Sequence, residues 1–371
     1  MASGSETISV LDRHGSIRPT PAAEPYLERA LAIPLEQRLG FLRDMVSTRA
    51  FDVAAANLQR QGHLALWVSS WGQEAAQVGS GRAARAQDTI FPSYREHAVG
   101  MIRGLDPLAI VRLLRGVSQG TWDPAENGNF RQYCLVLGSQ TLHSVGYAMG
   151  VQFDGATATG VPEEDQAVMV YLGDGATSQG DSNEALVFAA SYQSPVVFFI
   201  QNNQWAISVP VERQSRVPLA QRASGFGMPG VRLDGNDVLA TYAVTSAMLD
   251  DARAGRGPGL IEAVTYRIQG HSSSDDPTKY RSEDELQRWT DRDPVLRLRR
   301  HLESEGVGAE VFDEIDAEGA DLAADVRRRT LELTEPLMAE MFEHVYSEPH
   351  PLMDEQLQWL RDYEASYGSE R

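Results

Sequence analysis

The sequence predicts an α/β fold: a parallel sheet flanked by helices, with helical extensions at both ends. Three observations carry this. Residues 167–172 and 195–200 are apolar runs without polar alternation, as expected of strands buried on both faces of a sheet. Each run ends in a polar tip, Gly173-Asp174-Gly175 and Gln201-Asn202-Asn203, and a helical stretch at 181–192 separates them. Together they make a βαβ unit, whose right-handed crossover brings the two carboxyl ends side by side.

The other elements follow in chain order. Residues 1–33 are rich in proline, serine and charge and read as an N-terminal arm, surface-bound or partly disordered. From 34 to 61, Leu35, Leu39, Leu42, Met45 and Val46 fall on one helical stripe. A second helix is expected at 73–86, followed by a short segment, 88–92, that breaks at Pro92. Beyond the βαβ unit, strands are expected at 230–233 and 259–266 with a helix at 238–253 between them, and a polar loop runs over 269–276. From 282 to 371 the chain is acidic and helical. The predicted organisation is therefore an arm (1–33), an α/β domain (34–281) and a helical extension packing on that domain and on partner subunits (282–371).

At 371 residues and 42% hydrophobic, the chain can bury a substantial core. It has no run apolar enough to cross a bilayer and no signal-like N-terminus, so a cytoplasmic location is expected. A net charge of -19 excludes nucleic-acid binding through a general basic surface. Nearly all the cationic residues are arginine, with Lys279 the lysine, so local anion contacts would be planar forks. Cys134, the single cysteine, reads as a small buried apolar residue.

The paired strand tips carry the chemistry. Ligands of open parallel sheets sit beyond the carboxyl ends of the strands. There Asp174 offers a carboxylate and Asn202 or Asn203 an amide oxygen, both donors that Mg²⁺ prefers alongside phosphate oxygens. Gly173 and Gly175 let the backbone approach a diphosphate, and the following helix N-terminus adds amide donors. Alone, Gly-Asp-Gly is a turn and Asn-Asn a cap. Ending adjacent strands, they mark a cation-diphosphate site. A dinucleotide fingerprint is excluded because Ala176-Thr177-Ser178 follows Gly175, and no Gly-Lys-Ser/Thr ending for a P-loop occurs.

The stretch GDGATSQGDSNEALVFAASYQSPVVFFIQNNQWAIS resembles the thiamine-diphosphate motif in the alpha subunit of the decarboxylating first component of 2-oxo acid dehydrogenases. The likeness extends over roughly residues 35 to 350. It takes in Pro92-Ser93-Tyr94-Arg95-Glu96, the segment Gly138 to Gly146, and Tyr266 to Arg281 with its Gly270-His271-Ser272.

The resemblance implies a thiamine-diphosphate-binding fold. It also implies Mg²⁺ held by Asp174, Asn203 and the backbone carbonyl of Trp205, where relatives often carry tyrosine. Tyr94 and Arg95 would hold the diphosphate. Leu137 would support the bent cofactor, Gly173, Gly175 and Ala176 would line the phosphates, and Ile207 would complete the cofactor site. His271 is the expected catalytic residue, donating to the substrate carboxylate or carbonyl and assisting transfer to the lipoyl group. Ser272 matches a position phosphorylated in mitochondrial relatives, but no phosphorylation is expected here. His143 reads as a helix-packing residue, with approach to the active centre the alternative. The wording Cys134-Leu-Val-Leu-Gly-Ser-Gln140 departs from Ser-Pro-Leu-Ala-Thr-Gln, which puts a structural K⁺ site in doubt.

No second βαβ series follows residue 282, so the glutamate that activates the aminopyrimidine ring would come from a beta subunit in an α₂β₂ heterotetramer. The implied reaction is oxidative decarboxylation of a 2-oxo acid and reductive acylation of a lipoyl group on the acyltransferase component. The wording of 270–281 is most similar to branched-chain members, such as those acting on 3-methyl-2-oxobutanoate. Pyruvate and acetoin types stand as alternatives. A non-catalytic scaffold of the same fold is the remote one.

Overall fold

The computed structural model describes residues 6–118 and 122–367. Strands β1 (Thr7–Ile8), β2 (Thr89–Phe91), β3 (Val168–Gly173), β4 (Val196–Asn202), β5 (Gly230–Asp234) and β6 (Gly259–Val264) form one sheet. Their order is β1-β5-β6-β4-β3-β2 and every pairing is parallel. The register sets Gly173 opposite Gln201, so the two polar tips leave the sheet at the same level.

The unbroken apolar runs of β3 and β4 are explained by the two faces they feed. Met169, Tyr171, Val197 and Phe199 enter one core, and Val168, Val170, Leu172, Val196, Phe198 and Ile200 enter the other. Successive side chains of a strand point to opposite faces, so a strand covered on both sides must be apolar at every position. The first core is closed by α3 (Glu74–Ala83) and α6 (Val238–Arg253). The second is closed by α4 (Ser139–Phe153) and α5 (Gly180–Tyr192).

Helix α1 (Glu24–Leu31) packs on α6, and α2 (Leu35–Arg60) buries Leu42 and Met45 of the predicted stripe, half-buries Leu39 and Val46, and leaves Leu35 exposed at its first turn. It packs against α7 (Ala309–Leu331), where Gly319 admits Val46: an added Cβ would lie 3.1 Å from Val46 Cγ1. The last helix, α8 (Pro351–Ala365), leaves Leu352, Trp359 and Tyr363 exposed.

Two sequence expectations are corrected here. The segment 88–92, left without an element, contains β2, an edge strand, which suits its brevity and the proline after it. The N-terminal arm is not disordered over its described part: Thr7–Ile8 adds the opposite edge strand, and Ile8, Val10 and Leu11 are buried. Its anchor lies far away in sequence. Asp237, fully buried, accepts from the Val10 and Leu11 amides at 2.7 Å with one oxygen and caps α6 through Leu239 N with the other. Arg297 then joins Asp234 at 2.8 Å and the carbonyls of Leu11 and Asp12. Composition cannot reveal such an anchor, because its partners are more than two hundred residues away.

Among the described residues, no helix is long and apolar enough to cross a membrane.

Candidate functional site

At the carboxyl ends of β3 and β4 lies a cavity of about 460 Å³. Tyr94, Arg95, Leu137, Gly173, Asp174, Gly175, Ala176, Asn203, Trp205, Ile207 and His271 all line it. The sheet register explains the gathering at the strand tips. The rest arrive on the loop before the helix His97–Ile102, on the loop before α4, and on the segment after β6.

Asp174 is 1% exposed. Its Oδ2 accepts from Gln214 Nε2 at 2.8 Å, while Oδ1 is buried without a partner. Burial pushes its carboxyl up to about 6, against the smaller lowering by Gln214 and others. A buried carboxylate oxygen without a donor fits a cation ligand. Asn203 turns Nδ2 toward Gln73 Oε1 at 3.3 Å and keeps Oδ1 near Trp205 N at 3.3 Å. Of the paired asparagines, Asn203 lines the cavity and Asn202 does not. Asn202 instead gives Nδ2 to Glu262 at 2.7 Å and accepts from Gln204 N at 3.1 Å, so its side chain ties β4 to β6. The Trp205 carbonyl accepts from Arg267 Nη1 at 3.3 Å, which leaves its second lone pair. Carboxylate, amide and backbone oxygen are the hard donors that Mg²⁺ takes, usually with phosphate oxygens completing six.

The 3-10 turn Gly175–Ser178, rather than the N-terminus of α5, follows Asp174 and brings Gly175 and Ala176 to the cavity. The two glycines differ in kind. A Cβ on Gly173 would meet no atom within 4 Å, so it opens onto the cavity, whereas one on Gly175 would lie 2.7 Å from Ala206 Cβ. Gly175 is therefore required by the neighbouring hairpin of Trp205–Ala206 and Val209–Pro210. In that hairpin Ile207 has φ 55°, a rare conformation for a β-branched residue. Arg267 holds it there by donating Nη2 to the Ile207 carbonyl at 2.8 Å.

Arg95 is buried, and its guanidinium donates to the carbonyls of Ser69 and His271, the second at 2.9 Å. It also lies over the Tyr94 ring, 5.4 Å from the centroid. The carbonyl of Ser69 is fixed from beneath by Asp52, which accepts from Trp67 Nε1, Ser69 Oγ and Ser70 N at 3.1, 2.6 and 2.9 Å.

His271 stands edge-on to Tyr94, with its amide bonded to Asp275 Oδ2 at 2.6 Å. Desolvation, then Arg95 and Arg267, push its imidazole down to about 4. Arg267 Nη1 faces its Nδ1 at 3.5 Å, and arginine cannot accept, so Nδ1 is the lone-pair nitrogen and the neutral ring carries its proton on Nε2.

Several cavity residues were not foreseen. Gln73 and Gln201 line it, each with one buried atom unpartnered, Gln73 Nε2 and Gln201 Oε1. Neither carries a charge; Gln201 belongs to the polar tip Gln201-Asn202-Asn203 but was not itself singled out there, and Gln73 has no signal beyond its place beside a helix start. Glu96 also lines the cavity, but its carboxylate is engaged by Ser93 N at 2.7 Å, Ser93 Oγ at 3.0 Å and Gln201 Nε2 at 2.5 Å. It acts as a bracket for the 93–96 turn. Two further expectations are corrected. Cys134 is half-exposed and bonds Ser139 Oγ at 3.0 Å, because the segment around it runs along the surface. His143 is exposed on α4 and neither packs in the helix interface nor lines the cavity.

Comparisons with known proteins give one family model and several relatives. The family described as "Dehydrogenase E1 component" matches residues 42–354. The chain is 44% identical over 351 residues to the 3-methyl-2-oxobutanoate dehydrogenase subunit alpha of Mycobacterium tuberculosis, covering 92% of this chain and 91% of that one. It is 37% identical over 339 residues to the pyruvate dehydrogenase E1 component subunit alpha of Acholeplasma laidlawii, covering 89% and 94%. To the Bacillus cereus protein of the same name it is 36% identical over 311 residues, covering 83% and 80%.

Proposed function

We propose a function from one established premise: the chain belongs to the dehydrogenase E1 component family, which matches it over residues 42–354. It is the alpha subunit of a thiamine-diphosphate-dependent 2-oxo acid dehydrogenase. Its substrate is a branched-chain 2-oxo acid such as 3-methyl-2-oxobutanoate, and the product acyl group passes to a lipoyl group on an acyltransferase component. The preference over pyruvate rests on the relatives, 44% identity to a branched-chain enzyme against 37% and 36% to pyruvate enzymes.

The observation that carries the reading is Asp174 Oδ1, buried and unpartnered beside Asn203 in a cavity at the ends of two adjacent strands. Asp174, Asn203 and the Trp205 carbonyl would hold Mg²⁺. Tyr94, Arg95, Gly173, Gly175 and Ala176 would hold the diphosphate, with Leu137 and Ile207 against the rings. Thiamine diphosphate, when bound, supplies the carbon nucleophile and the electron sink that permit loss of CO₂. This chain's own part is to bind, orient and exclude water. His271, neutral with its proton on Nε2, is suited to donate a hydrogen bond to the substrate carboxylate or carbonyl.

The ring-activating glutamate is assigned to a beta subunit, because the cavity's Glu96 is engaged within this chain. Leu135 at the cavity and its neighbour Val136 are 73% and 72% exposed, apolar surface that such a subunit would cover in an α₂β₂ assembly. A K⁺ site near 134–140 is left out, since the Val136 carbonyl already accepts from Ser139 Oγ at 2.7 Å and from Cys134 Sγ at 3.1 Å. The test is calorimetric titration of thiamine diphosphate, with and without Mg²⁺, into the chain co-expressed with its beta partner. Mg²⁺-dependent binding is expected, and a folded complex that binds none would contradict the reading.

A further inference from the structure

Two side chains with no assigned role touch the two residues that would offer side-chain oxygens to the cation. Gln214 comes from the short helix Val211–Gln214, beyond the hairpin, and its Nε2 donates to Asp174 Oδ2 at 2.8 Å. Gln73 is the residue before α3, and its Oε1 accepts from Asn203 Nδ2 at 3.3 Å. The contacts are opposite in sense. Gln214 donates a hydrogen bond to Oδ2, which leaves Oδ1 as the free acceptor. Gln73 accepts a hydrogen bond from the amide nitrogen, and with Trp205 N facing Oδ1 at 3.3 Å it sets which end of the Asn203 amide is the oxygen.

We propose that Gln214 and Gln73 are positioning residues that orient Asp174 and Asn203 so that one oxygen of each faces the bound cation. The inference rests on the cation site assigned above. A carboxylate free to rotate could present both oxygens, and an unheld amide could present nitrogen, which repels a cation. Groups behind a metal's direct ligands fix such choices, and their removal characteristically weakens binding about 10- to 100-fold. Two further features fit. Gln73 is 1% exposed and its Nε2 has no partner although the residue lines the cavity, so that same amide keeps a donor for an anionic oxygen of the diphosphate. The helix bearing Gln214 is also held by the site's own wall, since Arg222 donates to the Gln214 carbonyl at 3.3 Å and to the Thr177 carbonyl at 2.9 Å.

The test uses the complex with the beta subunit, freed of metal and cofactor. Mn²⁺ binding is read by electron paramagnetic resonance, and thiamine diphosphate binding in Mg²⁺ by calorimetry. Gln214→Leu and Gln73→Leu remove the contacts with little change of volume. Each is expected to weaken Mn²⁺ binding about 10-fold or more, with the assembly and the melting temperature of the cofactor-free complex retained. Gln214→Glu and Gln73→Glu separate the two roles. The first removes the donor, sets two carboxylates against each other and should bind no better than Gln214→Leu. The second keeps an acceptor for Asn203 Nδ2 and should recover much of the cation affinity while thiamine diphosphate stays weak.

Mn²⁺ affinity within twofold of the parent in both leucine variants would overturn the proposal. Should a leucine variant fail to assemble, Gln214→Asn and Gln73→Asn, which shorten the amides, carry the same expectation and the same overturning result. Asp174→Ala is the control: if it still binds Mn²⁺ normally, the cation site itself is wrong, whereas loss there with unaffected glutamine variants refutes the positioning role alone.

Discussion

Asp174 concentrates the cost and the use of this site in one carboxylate. Burial raises its pKa from 3.8 to about 6, so with no cation present the folded state carries an unfavourable ionised group above that pH. The sign is clear: between 3.8 and about 6 the folded protein holds a proton that the unfolded chain has released, so stability falls as pH rises through that window and stays reduced above it. Asp174→Asn is therefore expected to raise the melting temperature of the cofactor-free protein at pH 8 by a few degrees, about 2–4 °C per kcal/mol for a domain of moderate size. Unchanged or lowered melting in a scan of both proteins would count against an unpaired carboxylate. His271 gives a second residue-scale expectation. His271→Ala should leave Mg²⁺-dependent cofactor binding in place and lower turnover with the lipoyl acceptor about 100-fold or more, the usual scale for loss of a positioned proton donor. Steady-state kinetics with wild-type turnover would remove it from the mechanism.

At the scale of elements, the structure joins segments by buried polar anchors rather than by apolar contact alone. His97 is fully buried, stacked on Trp67 at 4.7 Å and bonded to Tyr133 and the Val68 carbonyl, and burial drives its pKa down to about 4. Because the unfolded imidazole takes a proton near 6.5 and the folded one only near 4, stability should fall as pH drops from 6.5 toward 4. His271 shares that direction. The urea unfolding midpoint should fall as pH drops across this window, and His97→Asn should weaken that pH dependence. Asp237 is the comparable anchor of β1. Its replacement by alanine leaves the Val10 and Leu11 amides unanswered and Arg297 short of a buried carboxylate, at an expected cost of about 3–5 kcal/mol. Limited proteolysis in the first 20 residues would report the strand's release, and a resistant N-terminus would argue against this anchoring.

Those elements also show what the residues disclosed and why. The βαβ unit, its two polar tips and the helix Val238–Arg253 were legible because strands buried on both faces leave unbroken apolar runs and helices leave apolar residues at helical spacing. The resemblance then named Tyr94, Arg95 and His271, which local pattern alone would have left as surface residues. Gln73, Gln214 and Arg267 stayed hidden. Their importance lies in which atom they face, and a neutral amide or one arginine among many carries no sequence mark of that. The same holds for β1, whose pairing with β5 depends on partners more than two hundred residues away.

On the scale of the whole molecule, the parallel sheet gathers the cavity at the carboxyl ends of β3 and β4. In the proposed function a beta subunit supplies the group that activates the cofactor ring. The chain alone should therefore be inactive even when folded, and activity should appear on assembly with the beta subunit. The most direct test of the central claim is kcat/KM of that complex, with Mg²⁺ and thiamine diphosphate, for 3-methyl-2-oxobutanoate and for pyruvate. Metal- and cofactor-dependent turnover favouring the branched-chain acid is predicted; a well-assembled complex that is inactive on both, or that prefers pyruvate, would contradict it.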